Sequence, residues 1–384
     1  MRTMLLISAF FTAALAANCQ PAAGQPASAQ PTRRAAATKD TLVTNFFRRT
    51  TGWVSSDGAI TIPLTDGRTL WLMGDSHIDD YDPATATVNC LFQVRNAALV
   101  QPRNDWDWHD TRTLIGTGPG IKSFLKNNPD DRYFIWPGAG IQLKDTVYIY
   151  CANMKNAQSA VEGFGFAHAG NDCLAKLSFP DLRIVGYAPL QNFDEIGFGI
   201  GFIKKGHWVY VYGQKLAGLT NRLYVARFPE TRPCGPWSFY TGEGWSADIK
   251  AIQPIAAQNG MSGTFQVSQV KNTILLVSSD LSIGCDGGKS IYTSTSSSLT
   301  GPFTTPQRVY TIDDTLQGHY PFFYSVVAHP EFPGGSHAPG QTLLFTYCIN
   351  GYGTCVPICH DNRMNPDYYR PKAFRVPLST MGVR

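Results

Sequence analysis

Charge is scarce in this sequence. Of 384 residues only 16% are charged, against 43% hydrophobic and 12% aromatic. The net charge is +4, and the basic residues are scattered, with Arg33-Arg34 and Arg48-Arg49 the only arginine pairs. No basic stripe of the kind that tracks a phosphate backbone is present, so a nucleic-acid partner is not expected. Long apolar runs are equally scarce. After Met4 to Leu15 no run is long enough to span a bilayer. Helical periodicity is nearly absent beyond residue 42, with Ile121 to Asn127 the one stretch that suggests a short helix. What remains is a chain rich in Gly (36) and Pro (25), hence in turns and short strands, and long enough for one large core or two smaller ones.

Residues 1–17 read as a secretory signal: Arg2, the apolar run Met4 to Leu15, then small residues, with Ala14-Leu15-Ala16 fitting a cleavage site. Cys19 follows at the place a bacterial lipid anchor would use, although Asn18 stands where a small residue is usual. Residues 18–41, rich in Pro, Ala, Gln and Ser, read as a disordered linker. The expected location is therefore exported, in the periplasm or on the cell surface, with membrane attachment only through Cys19. Residues 42–384 are expected to form a single domain and to act as a monomer. Export permits disulfides among the other eight cysteines. Cys348, Cys355 and Cys359 beside His360 allow a disulfide, buried thiols or a metal site of unusual spacing, and Cys151 and Cys173 are placed to bridge neighbouring strands.

The strands repeat. LWLMGD from Leu70, VYIYCA from Val147, WVYVYG from Trp208, TILLVSS from Thr273 and LLFTYC from Leu343 start at intervals averaging about 68 residues. Each is preceded by another strand and a polar turn. Two units continue alike, into Gly235-Pro236-Trp237 and Gly301-Pro302-Phe303. Five such units imply an all-β five-bladed propeller with antiparallel blades of three to four strands, running roughly 51–115, 130–190, 194–248, 262–312 and 319–380. Leu42 to Phe47 is expected to add a strand that closes the ring. A β-sandwich is the alternative, and the repeat argues against it.

The first unit carries the most chemistry. Ala59 to Leu64 and Thr69 to Met73 read as a hairpin turning at Asp66-Gly67. Asp57 enters the first strand and Asp75 leaves the second, so antiparallel pairing returns them to one sheet edge. A two-residue turn with one bulge would set them on the same face. Ser55, Ser56, His77 and Asp79 lie nearby. Two close acids suit acid/base work.

In a propeller the first strand of each blade lines the axis. Its entry residues are Asp57 in blade 1, Trp136-Pro137-Gly138 in blade 2, and Asp194 and Glu195 in blade 3. Blade 4 offers Gln258, Asn259 and Ser262, and blade 5 offers His319, Tyr320 and Tyr324. Loops add Trp106, Trp108 and His109. Carboxylates with aromatic faces in a cleft suit sugars. The expected substrate contacts are Trp136, His77, His319, Tyr320, Tyr324 and Trp108. No cofactor is required, although a structural cation on the axis, with His319 near it, fits the architecture.

Ser56-Asp57-Gly58, then Leu64 to Trp71 and Gly74-Asp75, resembles the opening of secreted bacterial five-bladed propellers of the glycoside hydrolase superfamily. That superfamily includes arabinanase, xylosidase and fructosidase propellers. The nearest resemblance is to bacterial domains of unknown function whose relatives have endo-D-arabinofuranase activity. Supporting matches span residues 42–380. They include Trp136-Pro137-Gly138, Phe179-Pro180-Asp181-Leu182, Tyr210-Val211-Tyr212-Gly213, Gly301-Pro302-Phe303, His329-Pro330-Glu331 and Asn350. The resemblance implies Asp57 and Asp75 as the catalytic pair, with Glu195 as the acid if the arabinanase pattern holds. Ala139 departs from relatives that carry an acid after Trp-Pro-Gly, and the sialidase and fructosidase boxes are missing. The expectation is an exported glycoside hydrolase acting on a furanose-containing or related polysaccharide. A surface glycan-binding propeller is the alternative.

Overall fold

Alternating strands punctuated by Gly-, Asp- and Asn-bearing turns fold, in this computed structural model, into antiparallel sheets arranged as a five-bladed propeller. The structure describes residues 36–158, 165–281, 285–318, 321–334, 341–351 and 356–383. The signal segment, Cys19, most of the linker, His319, Tyr320 and Cys355 lie outside them.

Blade 1 orders Trp53–Pro63, Thr69–Ile78, Ala97–Gln101 and Arg112–Leu114 from the inside outward. Blade 2 orders Tyr133–Leu143, Thr146–Asn156, Cys173–Ser178 and Ile184–Pro189. Blade 3 begins at Gly197–Lys205, blade 4 at Gln266–Val270 and blade 5 at Phe322–His329. These first strands contact one another in sequence around the ring, as axial strands must. Between blades lie apolar clusters. One example joins Ile203, Tyr212, Leu223 and Val225 of blade 3 to Val267, Ile274 and Leu276 of blade 4. Burying such faces supplies most of the stability, at about 25 cal/mol per Å² of apolar surface.

Three local expectations are corrected. Thr41–Phe46 is an α-helix, and the closing strand is Thr38–Lys39, paired with Lys372–Pro377 at the outer edge of blade 5. Asp40 decides this. Its carboxylate caps the helix by accepting from the Val43 N–H at 3.0 Å and also takes the Arg375 Nε at 2.6 Å. Val43, Phe46 and Phe47, spaced for one helical face, are then fully buried. Gln258 and Asn259 do not line the axis, because Ala256–Asn259 pairs with Thr220–Pro229 and extends blade 3. Ile121 to Asn127 carries no helix.

The ring is also fastened by a two-stranded ribbon, Val88–Asn89 with Arg363–Met364. Beside it Cys90 and Cys359 form a disulfide across 269 residues. This removes Cys359 from any metal set with His360. Cys285 is likewise disulfide-bonded. Cys151 and Cys173 are direct cross-strand partners that hydrogen-bond as thiols and are not joined, and Cys348 is a buried free thiol.

Candidate active site

The first hairpin turns through Thr65-Asp66-Gly67, one residue more than Asp66-Gly67 alone suggests. Leu64 N–H donates to the Arg68 carbonyl at 2.9 Å around three residues, and Gly67 takes φ +90°. Pro63 therefore pairs with Thr69, and Ser56 with Ser76. The same register brings Asp57 level with Asp75. Irregularities between Ser56 and Ile60 kink the strand there, with Gly58 at φ +100° and Ala59 at φ +69°. Trp53, fully buried, donates its indole N–H to the Ser56 hydroxyl at 3.0 Å, and Ser56 donates to the Asp57 carbonyl at 2.7 Å. The Gly58 N–H donates to the Cys348 sulfur at 3.2 Å. The kink is thus held from both sides.

The carboxylate of Asp57 folds back over Gly74. A Cβ at that glycine would lie 2.0 Å from Asp57 Oδ1, so only glycine fits there. The Asp75 backbone N–H donates to the Asp57 carboxylate, as do the hydroxyls of Tyr369 and, at 3.0 Å, Tyr324. Asn350 donates in turn to the Tyr324 hydroxyl at 3.4 Å. Asp75 is placed differently. Its side chain is 14% exposed, its Oδ2 accepts from Arg95 at 3.2 Å, and its Oδ1 is buried with no hydrogen-bond partner. The Trp136 indole N–H faces this carboxyl without reaching full hydrogen-bond geometry.

These partners set the charges. Burial pushes the Asp57 carboxyl up from its ordinary range, and its three donors oppose that by stabilising the anion. Asp75 is pushed up to about 7, by burial first and then by repulsion from Asp57, with Arg95 pulling the other way. Because its hydrogen-bond donors stabilise the Asp57 anion, Asp57 ionises first and its charge then opposes ionisation of Asp75. Near neutral pH the pair holds one carboxylate and one proton, the arrangement acid/base chemistry needs.

An axial cavity of about 570 Å³ is lined by residues of all five blades, among them Gly58, Thr61, Trp136, Ile200, Gln266 and Glu331; Asp57 and Asp75 are not in its wall, but their neighbours Gly58 and Trp136 are. Trp136 is half-buried at its wall, with Phe166 edge-on at 4.5 Å. Of the residues expected from sequence, Asp57, Asp75, Trp136 and Tyr324 are brought together around the carboxyl pair. His77 is not. It is fully buried, bonded through Nδ1 to Asp80 at 2.9 Å and set edge-on to Tyr369, so it supports the site from behind. Glu195 is 85% exposed and paired with Lys215 at 3.0 Å. Its backbone is left-handed, φ +66°, and its carboxylate stands in solvent. Trp108 packs under Arg49 at the outer side of blade 1, against the cluster beneath the Thr41–Phe46 helix.

Arg95 and Tyr369 were missed. Arg95 leaves a loop between the second and third strands of blade 1, and Tyr369 lies in a short 3-10 turn, Pro366–Tyr369, ahead of the last strand. No motif marks either, since both reach the site from segments remote in sequence. Asn350 carried a resemblance but no role. His329, also without a role, is buried between the blade 1 and blade 5 strands, bonded to Thr61 and Thr346 at 2.9 Å each. Among the described residues no group of three or more His, Cys, Asp or Glu side chains is arranged to hold a metal ion.

The chain belongs to the family described as "Domain of unknown function (DUF5005)", whose model matches residues 40–378. No curated protein matches. Among solved structures, a Bacteroides ovatus ATCC 8483 protein described as "a putative hydrolase" superposes with a TM-score of 0.70 at 17% identity, over 90% of this chain and 93% of that one. The likeness is one of fold. An endo-arabinase from Bacteroides thetaiotaomicron VPI-5482 gives a TM-score of 0.44 at 11% identity, covering 86% and 97% of the two chains. The catalytic domain of a Coprinopsis cinerea GH62 alpha-L-arabinofuranosidase gives 0.43 at 11%, covering 86% and 98%.

Proposed function

We propose that this protein is a glycoside hydrolase that cleaves a furanose-containing or related polysaccharide at the Asp57–Asp75 pair. The observation that carries the reading is the unequal treatment of two adjacent carboxyls. Asp57 receives three hydrogen-bond donors, which favour its anion. Asp75 keeps a buried oxygen without a partner, which is costly unless that group carries a proton. Asp75 then protonates the leaving glycosidic oxygen, and Asp57 acts as the carboxylate that attacks the sugar or activates water. Trp136 offers an aromatic face beside Asp75 for a sugar ring. The motif resemblance to arabinofuranose-cleaving propellers supports the same substrate class. Export, with attachment through Cys19, is part of the proposal and rests on the N-terminal sequence alone.

The test is reducing-sugar release from arabinans, arabinogalactans, xylans and fructans by protein from residue 36 onward, with Asp57→Asn and Asp75→Asn alongside. Release by the wild type and its loss in both variants is expected. Activity that survives both substitutions would place the chemistry elsewhere. Binding to a glycan without release would make the protein a surface glycan-binding module.

A further inference from the structure

Arg95 is clamped on every side. Its backbone N–H donates to the Ser123 hydroxyl at 3.0 Å. Its guanidinium carbon sits 4.9 Å from the Phe92 ring centre and 4.2 Å from that of Phe134. One terminal nitrogen donates to Asp75 Oδ2 at 3.2 Å and the other to Asn156 Oδ1 at 3.1 Å. Simple charge compensation needs no such frame, since a lysine would supply it. A planar fork stacked on aromatic rings and bonded at both tips fixes an orientation, which lysine cannot do. We propose that Arg95 is a positioning residue that fixes the orientation of the Asp75 carboxyl through Oδ2 and limits how tightly that carboxyl holds its proton.

The proposal rests on the acid role assigned to Asp75 above. The groups that face Asp75 are Asp57 on the adjacent strand, Arg95 from the following loop and the Trp136 indole from blade 2. Tyr324 and Tyr369 act on Asp57. His77, two residues along, is bonded to Asp80 instead. Burial and the Asp57 charge tighten the proton, and Arg95, together with the Trp136 indole, loosens it. Without Arg95 the acid would hold its proton further into the alkaline range and give it up less readily.

The test follows the Asp75 carboxyl directly, by carbon NMR titration of the free protein, in the wild type, Arg95→Met and Arg95→Lys. Arg95→Met is expected to raise the Asp75 midpoint by about one pH unit or more, and to move the basic limb of the pH–rate profile with it. Arg95→Lys is expected to restore most of the midpoint while kcat stays about tenfold low, because charge returns without the fork. If Arg95→Met folds poorly, Asn156→Ala loosens the clamp from the far side and should raise the midpoint by less. An unmoved midpoint in a folded Arg95→Met protein overturns the proposal. The titration needs no substrate, so a wild type that cleaves no glycan would refute the hydrolase reading and still leave this result decisive.

Discussion

The seam where blade 5 meets blade 1 is built unlike the junction of blades 3 and 4. The latter packs aliphatic and aromatic side chains, with neutral hydrogen bonds from the Phe265 N–H to Gln214, from Asn221 to the Ser262 carbonyl and from Tyr212 to the Leu299 carbonyl. The polar contacts of the seam use buried ionisable side chains as well. His329 bridges to Thr61, Arg370 is buried with Nε on the Val54 carbonyl at 2.8 Å, and Cys348 meets the Gly58 backbone. A ribbon and a disulfide lie over it. Apolar contacts hold blades together without choosing a register, whereas hydrogen bonds of fixed geometry choose one. The site lies at this seam. Tyr324 and Tyr369 reach Asp57 from blade 5 and the segment before its last strand, so closing the ring assembles the site.

This contrast can be broken in measurable ways. Asp57→Asn and Asp75→Asn should each lower kcat by about 10²–10⁴-fold in the sugar-release assay, the usual worth of a positioned acid or base. Replacing Cys90 and Cys359 together by Ser should cost about 2–5 kcal/mol in urea unfolding. Because Tyr369 is fastened to this side of the ring, the same variant should lose activity per folded molecule, an effect that no apolar truncation between blades 3 and 4 should share.

A smaller effect concerns pH. The folded Asp75 carboxyl titrates at about 7, above its unfolded range near ~4, so the native state binds the extra proton in that window. Wild-type stability should therefore fall as pH rises from about 4 to 7. Asp75→Asn, which cannot ionise, should gain on the wild type over the same interval by up to about 4 kcal/mol, and pH-resolved thermal unfolding reads the difference. The smallest effect belongs to the blade 3 side. Glu195→Gln should leave kcat within about twofold, as expected for an exposed ion pair. A loss comparable to that of Asp57→Asn would return Glu195 to the site.

Much of this was legible in the sequence because it is local. The repeated second strands marked five blades, and their boundaries agree closely with the sheets. Asp57 and Asp75 were paired by one hairpin, a short-range inference. Glu195 and His77 show what such inference does not reach. Both are near the right strand ends, but one side chain turns to Lys215 on the surface and the other to Asp80 in the interior. Position along a strand does not fix which way a kinked or left-handed backbone points its side chain. The helix at Thr41–Phe46 was misread as a strand because six residues carry too little periodicity, and the Asp40 cap that settles it depends on Arg375 at the other end of the chain.

The sequence by itself determined the propeller, through a period-two pattern repeated five times with turns between. It also determined the hairpin that carries both carboxyls. Only the tertiary structure decided what those carboxyls are. Their protonation depends on burial and on Tyr324, Tyr369, Arg95 and Trp136, which arrive from other loops and blades. The fields that shift a carboxyl act through space over a few ångströms, and the chain encodes such neighbours only by folding.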